Sequence, residues 1–71
     1  ERRSKEVRRA VAALPEGERA AFLLHANEGL TNAEVADALG ISTVAAKLRI
    51  FRARKRLQRS LEQHIDEKGA R

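Results

Sequence analysis

The sequence predicts an all-α fold, a small four-helix domain that contains a helix-turn-helix. Three features of the chain support this prediction. Its 71 residues include two Phe and no Trp, Tyr or Cys, and residues that favour helices outnumber those that favour strands. Apolar residues recur at the three- and four-residue spacing of a helix. Capping residues, glycines and one proline divide the chain into four predicted helices, at about residues 4–13, 15–27, 32–39 and 43–66.

The first two predicted helices are separated by Pro15. The apolar stripe of the first helix comprises Val7, Ala10, Val11 and Leu14. Ser4 is the expected N-cap of this helix. Pro15 ends it, because proline disfavours helical backbone in the residue before it, and proline suits the first turn of the next helix. The second helix is largely apolar and is expected to stop at Gly29, which tolerates a left-handed backbone.

The third and fourth predicted helices form the helix-turn-helix. Thr31 and Glu34 have the spacing of a capping box, which starts the third helix. Gly40 ends that helix, and Ser42 is the expected N-cap of the fourth. Ala36 supplies a small side chain where the two helices meet. A short capped helix, a glycine turn and a longer basic helix are typical of this motif.

The long fourth helix has two predicted faces. Its core stripe comprises Ala46, Ile50, Ala53, Leu57 and Leu61. The opposite side holds Val44, Lys47, Leu48, Phe51, Arg52, Lys55 and Arg59. Apolar residues are therefore mixed with basic ones on the side that is expected to face outward.

The positive charge of the chain is confined to this last helix. Residues 41–61 carry seven Lys or Arg and no Asp or Glu. Residues 1–40 hold six Lys or Arg against seven Asp or Glu, and residues 62–71 hold two against three. A charge excess on one element indicates a surface that binds a polyanion. In a helix-turn-helix the N-terminal half of the second, recognition helix enters the major groove of double-stranded DNA, so this partner is predicted.

Other function classes find little support in the sequence. Without cysteine the chain has no thiol nucleophile and no cysteine ligand for zinc. His25 and His64 are far apart and lack neighbouring ligands, so we expect no metal site and no cofactor. Thr31 and Ser42 are helix caps rather than nucleophiles, and we expect no enzyme activity. No apolar run approaches the roughly 20 residues that span a bilayer, and a soluble, cytoplasmic protein is expected.

Several short segments, in order, carry a family resemblance. They are Leu14-Pro15, Glu28-Gly29-Leu30, Glu34-Val35-Ala36, Leu39-Gly40-Ile41-Ser42 and the basic run from Lys47 to Arg54. Residues 14–61 resemble region 4 of the bacterial sigma-70 family, most closely the extracytoplasmic-function (ECF) group. The chain starts on Glu1 without an initiator Met, and we expect it to be a single domain from the C-terminal part of a longer sigma factor.

The resemblance implies both partners and site residues. It implies recognition of the −35 promoter element within RNA polymerase holoenzyme, docking on the flap of the polymerase β subunit, and binding by an anti-sigma factor. The free domain is expected to be a monomer. The expected base contacts are Lys47, Leu48, Phe51 and Arg52. The expected phosphate contacts are Thr31, Asn32, Ser42, Thr43, Arg49, Arg54, Lys55 and Arg56.

The chain departs from the family pattern at two places in the recognition helix. Ala45 and Ala46 stand where Thr-Val is usual, which thins the core beneath the helix. Leu48 stands where a small polar residue is common. Leucine neither donates nor accepts a hydrogen bond, so this position reads only shape or a thymine methyl group.

The sequence leaves several alternatives open. Leu48 and Phe51 face either the DNA bases, a partly buried site or an anti-sigma factor, and the charges from Arg54 to Arg59 either hold phosphates or lie in solvent. Residues 29–34 also resemble the output domain of LuxR-type response regulators, which usually dimerise on palindromic sites. A third possibility is a module that acts mainly by binding core polymerase or an anti-sigma factor.

Overall fold

The computed structural model describes the backbone of residues 2–69 and the side chains of residues 5–62. Four helices follow one another: α1 (Arg2–Ala12), α2 (Glu16–Ala26), α3 (Asn32–Leu39) and α4 (Thr43–Gly69). No strand occurs in the described backbone. The predicted all-α helix-turn-helix fold is therefore confirmed. Helix α4 contacts each of the other three helices and is the element on which they assemble.

The outer ends of the first and last helices differ from the prediction. Helix α1 begins at Arg2, so Ser4 lies within its first turn and not at the N-cap. Arginine is itself a good helix former, and nothing before Ser4 prevents the helix from starting earlier. Helix α4 continues to Gly69, past the expected end near Asp66, because no helix-breaking residue precedes that glycine.

The Arg19 side chain holds the junction between α1 and α2. Pro15 is the N-cap of α2, outside its first turn, and its carbonyl accepts the Arg19 backbone N–H at 2.9 Å. The Arg19 guanidinium Nη1 donates to the carbonyls of Ala12 and Leu14, at 3.1 and 3.2 Å. These carbonyls lie at and just beyond the end of α1, where no helical donor is available. Arg19 therefore ties the start of α2 to the end of α1.

The loop between α2 and α3 turns at the expected glycine, although the helix stops earlier. Helix α2 ends at Ala26, and Gly29 adopts a left-handed φ of 74°. The His25 Nδ1 lies 2.8 Å from the Leu30 carbonyl oxygen. Since a carbonyl only accepts, His25 donates this hydrogen bond. The imidazole thus fixes the loop that leads into the helix-turn-helix.

The predicted capping box, glycine turn and N-cap of the helix-turn-helix are all present. Thr31 Oγ1 accepts the Glu34 N–H at 3.1 Å, and Glu34 Oε1 accepts the Thr31 N–H at 2.9 Å. Gly40 closes α3 with a left-handed φ of 68°. Ser42 Oγ accepts the Ala45 N–H at 3.0 Å and caps α4. These local hydrogen bonds set where each helix of the motif begins and ends.

The core consists of two buried clusters along α4. The first joins α2, α3 and α4 and comprises Ala21, Val35, Ala36, Ala46 and Ile50. The second joins the end of α1 to the middle of α4 and comprises Leu14, Ala53 and Leu57. Four members of the predicted α4 stripe are buried, and Leu61 is half-buried. Alanine is frequent in these clusters, so the helices approach one another closely.

Enlarging Ala36 should destabilise the fold. Its side chain is 3% exposed in the cluster shared by α3 and α4, and extra methylenes there would force the two helices apart. We expect Ala36→Leu to lower the free energy of unfolding by about 1–3 kcal/mol. Urea unfolding followed by far-UV circular dichroism measures this change. Ala38→Leu is the matched control, because Ala38 is exposed on the same helix; equal stability of the two variants would contradict the packing described.

Candidate nucleic-acid interface

The N-terminal half of α4 exposes an unusual row of apolar side chains. Val44 is 75% exposed, Leu48 43% and Phe51 58%. Residues four and three positions apart lie on one face of a helix, so the three side chains form a continuous stripe, which we call the apolar ridge. The core stripe occupies the other side of the same helix. Leu48 and Phe51 therefore face outward, and of the alternatives that the sequence left open a partly buried site is excluded.

Positive side chains lie beside the apolar ridge. Lys47 and Arg52 are exposed. The Lys55 Nζ lies 5.9 Å from the centroid of the Phe51 ring, within the range of a cation–π contact. In the part of the chain with described side chains, no ion pair engages these three cations. The outward face of α4 thus combines apolar surface with positive charge available to an external anion.

Arg56 makes a contact that the sequence did not suggest. Its Nε donates to Glu18 Oε1 at 2.8 Å, and the two side chains are 58% and 12% exposed. No acidic residue lies in residues 41–61, but this carboxylate comes from α2. Arg56 was expected to contact a phosphate, yet in the structure it fastens α4 to the first turn of α2.

Arg49 also faces α2. A Cβ added to Gly17 would lie 3.2 Å from Arg49 Nη1, so the guanidinium rests against the first turn of that helix. Arg49 is half-buried. Arg49 and Arg56 are two turns apart on one flank of α4. The basic run therefore divides into two cations that contact α2 and five others, namely Lys47, Arg52, Arg54, Lys55 and Arg59.

Four of the remaining expected phosphate contacts lie at helix starts, whereas Arg54 and Lys55 are exposed further along α4. Thr31 and Ser42 are exposed, and each hydroxyl already caps its own helix. Asn32 is half-buried in the first turn of α3, and Thr43 is exposed at the start of α4. Helix N-termini favour anions because their first N–H groups have no helical acceptor. These positions are compatible with a phosphate but distinct from the exposed face of α4.

Other kinds of site are not evident in the described part of the chain. Among residues 5–62, no three or more His, Cys, Asp or Glu side chains form a group suited to a metal ion. None of the described helices combines the length and apolar character needed to cross a bilayer. The exposed face of α4 is the feature that calls for a functional explanation.

Comparison with protein families identifies this arrangement. The family model described as Sigma-70, region 4 matches residues 4–57. The chain belongs to this family. No curated protein and no solved structure matches it. The matched residues include α3, the turn at Gly40 and α4 as far as Leu57, and so contain the apolar ridge.

Membership of the sigma-70 region 4 family places the helix-turn-helix in transcription initiation. In sigma factors generally this region binds the −35 promoter element and RNA polymerase, and the family is a DNA-binding one without catalytic function. The resemblance of residues 14–61 to region 4 of the sigma-70 family is thereby confirmed. The match begins at Ser4, ten residues before that resemblance, and therefore also covers most of α1.

Removing the charge of Glu18 should loosen the contact between α2 and α4. Glu18→Gln breaks the ion pair with Arg56 and removes a negative charge from the positive end of α2. We expect the free energy of unfolding to fall by about 1 kcal/mol at low salt and by less at high salt, since salt screens both terms. Thermal unfolding at two salt concentrations measures this.

Glu28→Gln makes the same charge change at an exposed residue in the loop after α2 and serves as the control. It should leave stability nearly unchanged. A loss in Glu28→Gln as large as that in Glu18→Gln would mean that net charge, and not the pairing with Arg56, determines the effect.

Proposed function

We propose that this chain is region 4 of an ECF sigma factor and that α4 reads the −35 promoter element within RNA polymerase holoenzyme. The observation that carries this proposal is the outward face of α4, where exposed Lys47 and Arg52 flank the apolar ridge and no acidic residue intervenes. The major groove of B-DNA admits one α-helix, and the N-terminal half of the second helix of the motif enters it.

The proposed base contacts are Lys47, Leu48, Phe51 and Arg52. All four are exposed in the N-terminal half of α4. The planar guanidinium of Arg52 suits guanine, whose O6 and N7 accept a pair of parallel hydrogen bonds. The ammonium group of Lys47 is a compact positive charge that can bind a base or a phosphate. Leu48 and Phe51 supply contact without hydrogen bonds.

The proposed phosphate contacts fall into three groups, which differ in how free their side chains are. Arg54 and Lys55 are exposed and form no ion pair within residues 5–62, so their charge is available. Thr31, Asn32, Ser42 and Thr43 offer helix N-termini and short polar side chains. Arg49 and Arg56 have weaker support because their guanidinium groups face α2. Each phosphate neutralised strengthens binding by releasing counterions.

The same proposal includes the protein partners of a sigma factor. We propose docking on the flap of the polymerase β subunit, action in the cytoplasm, and a monomeric free domain.

The exposed apolar ridge favours one second candidate, a module that acts mainly by binding core polymerase or an anti-sigma factor, because protein interfaces also use exposed apolar side chains. DNA binding by the isolated chain separates the two candidates.

Two arginine variants should differ in how they affect DNA binding. Arg52→Ala should relax preference at one base pair, with a loss of about 1–3 kcal/mol for the preferred base. Arg54→Ala should weaken all sequences alike and reduce the slope of log K against log salt by about 0.9. Fluorescence anisotropy with −35-like and scrambled duplexes, at several salt concentrations, measures both effects.

Binding should saturate at one chain per duplex. Two chains on a palindromic duplex would favour a LuxR-type output domain. Equal affinity of the unmodified chain for scrambled and −35-like duplexes would contradict base reading and support the protein-binding candidate.

A further inference from the structure

The apolar ridge is longer than a single hydrophobic contact requires. Val44 and Phe51 are seven residues apart, which corresponds to about 10 Å along a helix. Successive bases on one strand of DNA are about 3.4 Å apart along the axis. A helix lying in the groove therefore holds the ridge against about three successive base pairs.

The surroundings of the ridge indicate which kind of partner covers it. Lys47, Arg52 and Lys55 lie on or beside the same face, and Lys55 stacks its ammonium over Phe51. Residues 41–61 contain no acidic side chain. A stable protein interface generally uses about 20–30 residues a side, whereas this ridge has three. A small apolar stripe among cations is suited to a polyanion that presents apolar groups in a groove.

Thymine is the base that meets this description. In the major groove thymine presents a C5-methyl group beside its O4 acceptor, whereas the other three bases have no methyl group there. Val44 and Leu48 have aliphatic side chains that neither donate nor accept. Opposite either residue, a base other than thymine would lose hydrogen bonds to water without gaining a partner.

We propose that Val44, Leu48 and Phe51 read thymine methyl groups within three successive base pairs of the DNA site. This inference rests on the proposed function and adds to it the chemistry of the bases read. Polar side chains beside the ridge, notably Arg52, then read a neighbouring position. The preferred duplex should accordingly carry thymines on one or both strands opposite the ridge.

The experiment tests single thymine methyl groups in the DNA against single side chains in the protein, in every combination. A duplex is first selected from a random double-stranded library with the 71-residue chain. Each thymine is then replaced by deoxyuridine, which lacks only the methyl group and keeps the pairing and the O4 acceptor. Fluorescence anisotropy gives the Kd of the unmodified chain, of Leu48→Ala and of Val7→Ala. Val7 is the control because it is an exposed apolar residue of α1.

For the unmodified chain we expect about a four-fold weaker Kd for each contacted methyl that is removed. Leu48→Ala should abolish the effect at one thymine or more, and Val7→Ala should preserve all of them. Such a loss of coupling shows that the side chain and the methyl group touch.

Two results overturn the proposal in distinguishable ways. If the selected duplex binds specifically but deoxyuridine leaves the Kd unchanged at every position, the ridge does not read thymine, the proposed function stands, and a protein partner becomes the occupant to test. If the selection yields no preferred sequence and all duplexes bind alike, the proposed function itself fails.

Discussion

The packing of three helices against α4 is the constraint on which the rest of the structure depends. The buried residues Ala46, Ile50, Ala53 and Leu57 occupy one side of α4, and Ala36 lets α3 approach it closely. Since that side of α4 is buried against α1, α2 and α3, no other described helix is left to cover the opposite side. Exposure of the apolar ridge is thus a consequence of the fold. The capping box and the Gly40 turn also determine which side of α4 is exposed, because they fix where α3 begins and ends.

Electrostatics modifies this arrangement at the flank that faces α2. Arg52 and Arg56, like Lys55 and Arg59, are pairs of like charges four residues apart, which destabilises a helix. Glu18 offsets part of this repulsion by pairing with Arg56. A bound polyanion would offset the rest. The repulsion within the basic run lowers the stability of α4. The same run places positive charge beside the apolar ridge, as the proposed binding of DNA requires.

Local patterns in the sequence predicted most of the fold and the outward face of α4. The capping box at Thr31, the turn at Gly40 and the buried stripe from Ala46 to Leu57 depend on residues a few positions apart, so the sequence specifies them directly. The contacts of Arg56 with Glu18 and of Arg19 with the end of α1 were missed. They join different helices, and the angle and separation of those helices are set by packing that no short pattern encodes. The fold and the family could thus be predicted. Which basic residues contact α2 and which are free to bind a partner could not.

We propose that the outward face of α4 enters DNA while the other helices hold α4 in place. The most direct test is a titration of the ¹⁵N-labelled chain with a duplex selected by the chain, followed by backbone amide chemical shifts. The largest changes should occur at Lys47, Leu48, Phe51 and Arg52, with smaller ones at the helix starts near Thr31 and Ser42. Shifts concentrated in α1 and α2, with the signals of residues 44–52 unmoved, would contradict the account.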